Sequence, residues 1–186
     1  MKKTWIIVII VAVLIVLYGL SSYNSLVTMD ENVTAQWQQV ETTYQRRFDL
    51  IPNLVESVKG AMQQEQAIFN ALAEARTRYS GATSADERAA AAGQVESALG
   101  RLLAVIENYP TLKSIDAVQN LMIQLEGTEN RISVERQRYN DTVRMFNTAT
   151  RRFPRSILAG MFGFDQRTYF ESVEGSETAP TVDFTQ

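Results

Sequence analysis

The sequence predicts an all-α protein in which an N-terminal transmembrane helix is followed by an antiparallel helical bundle with long helices. Three observations predict it: an uncharged apolar run near the N-terminus, apolar positions three and four residues apart along most of the remaining chain, and no alternating stretch of the kind that marks strands. We expect a cytoplasmic N-terminus at 1–4, a transmembrane helix at 5–23, a helical bundle at 24–172 and a disordered polar tail at 173–186.

The apolar run from Trp5 to Leu20 carries no charge and has the length that crosses a bilayer. With its flanks it reaches about 18–20 residues, close to what about 30 Å of hydrocarbon requires at 1.5 Å per residue. The alternative is a cleaved signal peptide, which needs a shorter apolar region and small residues at the cleavage site. The exit sequence 19–23 (GLSSY) fits such a site poorly, so we favour an uncleaved anchor.

The positions of the basic residues indicate the direction of this anchor. Lys2 and Lys3 precede it, whereas the next basic residue is Arg46. Because Lys and Arg accumulate on the cytoplasmic side of a membrane span, we expect the N-terminus in the cytoplasm and the soluble domain outside it, in the periplasm or another extracytoplasmic space.

The composition argues against several classes of function. Beyond the apolar run lie 16 of the 18 basic and all 21 acidic residues, so this part carries a net charge of −5, which argues against nucleic-acid binding. The chain has no cysteine and no histidine, and so lacks the commonest general base and the commonest metal ligands. We expect no catalytic residue, no cofactor, no metal and no small-molecule substrate. An enzyme would need a pair of acids in a cleft, for which Asp49 and Glu129 are the candidates.

Helix boundaries can be predicted at several points. Apolar residues follow helical spacing from Val33 to Met62, with Pro52 expected to kink the first helix and Lys59–Gly60 to end or hinge it. A turn is expected at 80–83, and Ser84 with Glu87 forms a capping-box pattern that starts the next helix. That helix should stop at 108–110 (NYP), and the last long helix should run from about 114 to about 152.

Two paths of the chain are compatible with this pattern. If the first helix ends at Gly60, four segments run up, down, up and down, and the chain returns to the membrane near Arg152. If the first helix continues to Tyr79, three helices result and the last runs away from the membrane. We prefer the four-segment path.

The last long helix carries a heptad seam in which two charged residues replace apolar ones. The seam runs at four–three spacing from Val118 to Phe146, with Glu129 and Arg136 at seam positions. Since buried charges need partners, we expect a polar layer between the first and last helices. Its members or flanking residues would be Arg46, Arg47, Asp49, Asn53, Glu129, Asn130 and Arg136. Such a layer fixes helix pairing and register; a binding or catalytic site is the alternative.

The segment 151–164 combines arginines with apolar residues and has two interpretations. It can lie on an anionic lipid surface, through Arg151, Arg152, Arg155, Phe162 and Phe164. Alternatively, it forms a short helix docked on the bundle, with its arginines solvated, which is the interpretation we favour.

Several motifs are those of a known family. They are YNxLV at 23–27, WxQV at 37–40, RRFDLIPNLVESVKG at 46–60, YPxLK at 109–113, TENRISVERQRYN at 128–140, FP at 153–154 and the region 163–170. With these motifs the chain resembles the LemA family of bacterial single-pass membrane proteins over nearly its whole length. The sequence departs from the family pattern after Gly60, where AMQQ replaces an aromatic-rich stretch and a histidine often found nearby is absent.

The resemblance implies a helical domain anchored in the bacterial inner membrane, with no established enzymatic activity. Some family members take part in building magnetosome membranes, which implies a membrane-organising role, and some have been described with the soluble domain in the cytoplasm. We expect a non-enzymatic scaffold that contacts the lipid bilayer and forms a homo-oligomer, with coiled-coil-like helix pairing. The alternative is an adaptor that regulates a membrane protease or an envelope-stress pathway by binding another membrane protein.

Overall fold

The structure, a computed structural model, describes residues 2–60, 62 and 65–170, and these form six helices with no strand among them. The helices are α1 (Lys2–Lys59), α2 (Gln66–Gly81), α3 (Ala85–Glu107), α4 (Pro110–Lys113), α5 (Asp116–Arg151) and α6 (Arg155–Phe162). The prediction of an all-α protein with a long apolar N-terminal helix and a bundle of long helices is confirmed.

The apolar run at the start of α1 has no covering from the rest of the described chain. Its large apolar side chains from Trp5 to Leu20 are 47–68% exposed. By length and composition both the start of α1 and α3 could cross a membrane, but the apolar window of α3 is 39% buried and packs in a core. The start of α1 is therefore the better candidate span.

The chain divides into two compact units, of which the first comprises residues up to Arg47 together with 126–169. Within this unit α1 and α5 run antiparallel, because contacts pair later α1 residues with earlier α5 residues, from Trp37–Tyr139 through Tyr44–Arg136 to Arg47–Glu129. Their shared core consists of buried side chains: Leu26, Val33, Val40, Tyr44, Ile132, Tyr139, Val143 and Phe146. Each such side chain contributes roughly 1.5–3 kcal/mol through burial.

The second unit comprises residues 48–125 and residue 170. Here α2 and α3 form a helical hairpin, and the rings of Phe48 and Tyr79 meet edge to face with centroids 4.6 Å apart. The hairpin turn is closed by the predicted capping box: Glu87 donates its backbone N–H to Ser84 Oγ at 3.2 Å, and its carboxylate accepts from the Ser84 N–H. The core of this unit is apolar and includes Ile51, Leu54, Val58, Leu72, Leu99, Leu102 and Ile106.

Helix boundaries match the sequence-based expectations at most points. α1 ends at Lys59, which excludes the three-helix path, and it continues through Pro52. α3 ends at Glu107 with Asn108 as its C-cap, and α5 begins two residues later than expected, at Asp116. α2 extends to Gly81, so the turn predicted at 80–83 is shorter. The predicted disordered tail at 173–186 lies outside the described residues, as do the last two residues of the predicted bundle domain.

Candidate functional site

Polar side chains join α1 and α5 within the first unit at two neighbouring levels. Arg47, 6% exposed, donates through Nη1 to the carboxylate of Glu129, whose side chain is 48% exposed. One helical turn earlier on α1, the Tyr44 hydroxyl accepts a hydrogen bond from Arg136, and the Arg136 guanidinium lies 5.4 Å from the Tyr44 ring centroid. Both seam charges therefore meet polar partners on α1, and each contact holds the two helices in one register.

The remaining four residues of the predicted polar layer have exposed side chains. Arg46, Asp49, Asn53 and Asn130 are exposed, and Asp49 and Asn53 belong to the second unit. Among the seven predicted residues, the structure thus brings Arg47 and Glu129 together and pairs Arg136 with a residue outside the set. The acid pair Asp49 and Glu129 consists of two exposed side chains in different units.

The sequence does not predict a further set of hydrogen bonds and ring contacts in the first unit. Gln36 donates to Glu135 at 2.7 Å, and Trp37 donates through Nε1 to Glu41 at 2.6 Å. The Trp37 ring meets the Tyr139 ring edge to face, with centroids 5.3 Å apart. The spacing of Trp37 and Tyr139 in their seams signals burial, but no local pattern identifies Gln36 and Glu135 as partners 99 residues apart.

The segment after α6, residues 164–169, lies against α1 and α5 as a strap. Buried Asn147 donates through Nδ2 to the Arg167 carbonyl at 2.8 Å and accepts from the Arg167 N–H at 2.9 Å. The Arg167 guanidinium donates to Asp30 at 2.7 and 2.9 Å, and the Tyr139 hydroxyl donates to the Thr168 carbonyl at 3.1 Å. The strap is thus anchored to α1 and α5 by both side-chain and backbone groups.

Helix α6 docks beside the residues that follow the apolar run. Its Ala159 packs in a small core with Leu26 and Ala149. The Tyr23 ring contacts the Phe162 ring at 4.8 Å and the Phe164 ring at 5.9 Å between centroids. The segment 151–164 thus contains a helix that docks within the first unit, with Arg151 and Arg152 exposed and Arg155 half-buried.

Metal-binding potential can be assessed over the described residues. In residues 2–60, 62 and 65–170 no group of three or more Asp or Glu side chains is placed to hold a metal ion. The Arg47 and Arg136 guanidinium groups instead contact residues of the neighbouring helix, and the buried Asn147 amide contacts the strap.

These features define a class of protein: a helical domain on an apolar N-terminal helix, with Arg47 and Arg136 making polar contacts between helices. The chain belongs to the LemA family, whose model matches residues 36–184. It is similar to Magnetosome protein MamQ 2 of Paramagnetospirillum magneticum (strain AMB-1), at 29% identity, and to Magnetosome protein MamQ of Magnetospirillum gryphiswaldense (strain MSR-1), at 30%. Each alignment covers 86% of this chain and 68% of the relative. The apolar helix and the family together indicate a membrane-associated protein.

Proposed function

We propose that the protein is a membrane-anchored, non-enzymatic scaffold that organises the membrane by self-association of its helical domain. The observation that carries this proposal is the continuity of α1, which runs from the apolar span into the domain without a linker. A domain held in this way cannot swing freely, so neighbouring copies in the membrane present the same helix surfaces at the same height.

The contacts made by the polar residues support a structural role for them and not a catalytic one. Arg47, Arg136 and Asn147 all make contacts that join α1, α5 and the strap. A catalytic group has to be held in place yet remain available to a substrate, whereas these groups are occupied by partners within the chain.

The outer surface of α5 offers apolar side chains to a second copy. In the first unit, Val134 and Met145 are 46% and 58% exposed and lie eleven residues apart, close to three turns of an α-helix. Covering such residues against another copy in the membrane plane would remove apolar surface from water.

The relatives are consistent with this class of function. Their names assign them to magnetosomes. This similarity supports our proposal that the chain has a membrane-organising role.

Crosslinking tests the self-association, and the lack of cysteine in the chain makes single-cysteine variants unambiguous. In membranes, Val134→Cys on α5 should give a dimer band with a short bis-maleimide reagent. The matched control is Ala90→Cys, an exposed position on α3 in the second unit, which should stay largely monomeric. Equal crosslinking at both positions would indicate random collision, and none at either would contradict association through α5.

We further propose that the domain lies outside the cytoplasm of a bacterial cell, with the N-terminus inside, as Lys2 and Lys3 predict. The variant Ala90→Cys also tests this orientation. A membrane-impermeant maleimide should label it in intact spheroplasts to the same extent as in lysed ones. Labelling only after lysis would place the domain in the cytoplasm.

A further inference from the structure

We infer that a groove beside the N-terminal span binds the headgroup of an anionic phospholipid. The groove has a volume of about 690 Å³ and is lined from α1, from the end of α5 and from the turn that leads into α6. Its lining residues are Tyr18, Met29, Arg144, Met145, Thr148, Ala149, Arg152, Phe153 and Arg155. This inference rests on one part of the proposed function, namely that residues 5–23 span the membrane.

The positive charges in the groove favour an anionic ligand. All three charged residues in its lining are arginines. Arg144 contacts Asp141 at 2.9 Å in an exposed i,i+3 pair, which stabilises little and leaves the guanidinium available to a second acceptor. Within the described part of the chain, Arg152 and Arg155 form no ion pair. Several guanidinium groups around one space match the oxygens of a phosphate, to which arginine donates in bidentate fashion.

The position of the groove selects a lipid over a free phosphate ion. Tyr18 belongs to the predicted span, so the groove opens where the apolar helix leaves the bilayer. Met29, Met145 and Phe153 add apolar surface for the glycerol and upper acyl region. A free ion would make no use of that surface.

Exposed apolar residues next to the groove lead to the same conclusion. Phe153 is 81% exposed, and on α6 Ile157 and Met161 are 56% and 72% exposed and one helical turn apart. Contact of Tyr23 with Phe162 holds α6 at the membrane exit. Large apolar side chains near the end of the span are removed from water when they enter the lipid interface, as in amphipathic segments that lie on membranes.

Native mass spectrometry of the full-length protein tests the inference. The protein is equilibrated with equal amounts of phosphatidylglycerol and phosphatidylcholine in detergent micelles. The wild type should retain phosphatidylglycerol at least fivefold over phosphatidylcholine. Arg152→Gln/Arg155→Gln should lower that preference to below twofold. Arg101→Gln/Arg131→Gln removes the same charge from exposed positions outside the groove and should keep the wild-type preference.

Three results would overturn the inference. They are equal retention of the two lipids by the wild type, an unchanged preference in Arg152→Gln/Arg155→Gln, and equal loss in the control variant. Inorganic phosphate at millimolar concentration should leave the lipid preference within twofold, and complete displacement would show a site for free phosphate instead. The same spectra report the number of chains, so a monomer that still prefers phosphatidylglycerol would contradict the scaffold and keep the lipid site. Thermal melts of both variants by circular dichroism identify any loss of fold.

Discussion

At the scale of single residues, the pair Arg47–Glu129 shows how a buried charge is tolerated in this bundle. Arg47 is almost fully buried while the Glu129 side chain is half exposed, so water still reaches the carboxylate. Removing the partner of a fully buried charge costs about 3–5 kcal/mol, and this exposure reduces the penalty. The pair therefore contributes mainly the pairing and register of α1 and α5.

We predict that Glu129→Gln lowers the free energy of unfolding by about 1–3 kcal/mol, because the Arg47 guanidinium keeps only a neutral acceptor. Arg131→Gln, an exposed change two residues along α5, should alter it by less than about 0.5 kcal/mol. Chemical denaturation of the detergent-solubilised protein, followed by circular dichroism, measures both. Equal effects of the two variants would show that the Arg47–Glu129 contact contributes nothing to stability.

Glu87 gives a pH-dependent contribution to the helical hairpin. Its carboxylate accepts from the Thr83 N–H at 2.8 Å, from the Thr83 hydroxyl at 3.0 Å and from the Ser84 N–H at 3.3 Å. The Thr83 backbone hydrogen bond, followed by the Thr83 hydroxyl, lowers the pKa of Glu87 below its ordinary value of 4.5. Since the folded state prefers the charged carboxylate, this stabilisation is complete above the unfolded-state pKa and is lost as the pH falls through the folded-state pKa.

The expected result is that Glu87→Gln is less stable than the wild type at pH 7 and that the difference shrinks at pH 3. Thermal melts of both proteins at the two pH values measure it. The exposed change Glu74→Gln on α2 is the control. A difference between wild type and Glu87→Gln that is the same at both pH values would contradict the role of the charged carboxylate.

At the scale of elements, the strap at 164–169 depends on one buried amide. Asn147 satisfies both the N–H and the carbonyl of Arg167, as a neighbouring strand would. We predict that Asn147→Ala raises the hydrogen–deuterium exchange rate of the Arg167 region at least tenfold, since alanine offers neither a donor nor an acceptor. Gln137→Ala, an exposed change on α5, should leave that rate unchanged. Unaltered exchange in Asn147→Ala would mean that the Asp30 and Tyr139 contacts hold the strap without Asn147.

Elements whose signals are local could be predicted from the sequence. The capping box at Ser84 and Glu87 and the ends of α1 and α3 follow from residues within one turn of the boundary. The helical periodicity does not predict the four-residue α4, although Pro110 stands at its first position, where proline is favoured. The docking of α6 could not be derived from the sequence, because Tyr23 and Phe162 are far apart in the chain and meet only through the fold.

In the candidate sites, too, features with a local sequence signal could be predicted and contacts between distant residues could not. A break in the heptad seam identifies Glu129 and Arg136 as residues that need partners, and the predicted polar layer includes Arg47, which contacts Glu129. The spacing of Tyr44 predicts only a buried seam residue, so the contact of its hydroxyl with Arg136 could not be predicted from the sequence. The groove near Tyr18 depends on three separate segments, and only their packing brings the arginines together.

At the scale of the whole molecule, the features described for each unit agree with a protein that acts through its surfaces. The Arg47, Arg136 and Asn147 side chains make contacts within the chain, while apolar side chains on α5 and α6 remain exposed. As a member of the LemA family with an apolar N-terminal helix, the protein is associated with a membrane. There the exposed apolar side chains of α5 and α6 can be covered by lipid or by a second copy of the chain.

The most direct test of the proposed scaffold is the mass of the full-length protein extracted from its membrane in native lipid particles. We expect one discrete species that contains a fixed number of chains, two or more, dissociated by Val134→Glu on the outer surface of α5 and retained in Ala90→Glu. A strictly monomeric protein would contradict the scaffold, and a fixed complex with one copy of another membrane protein would replace it with an adaptor.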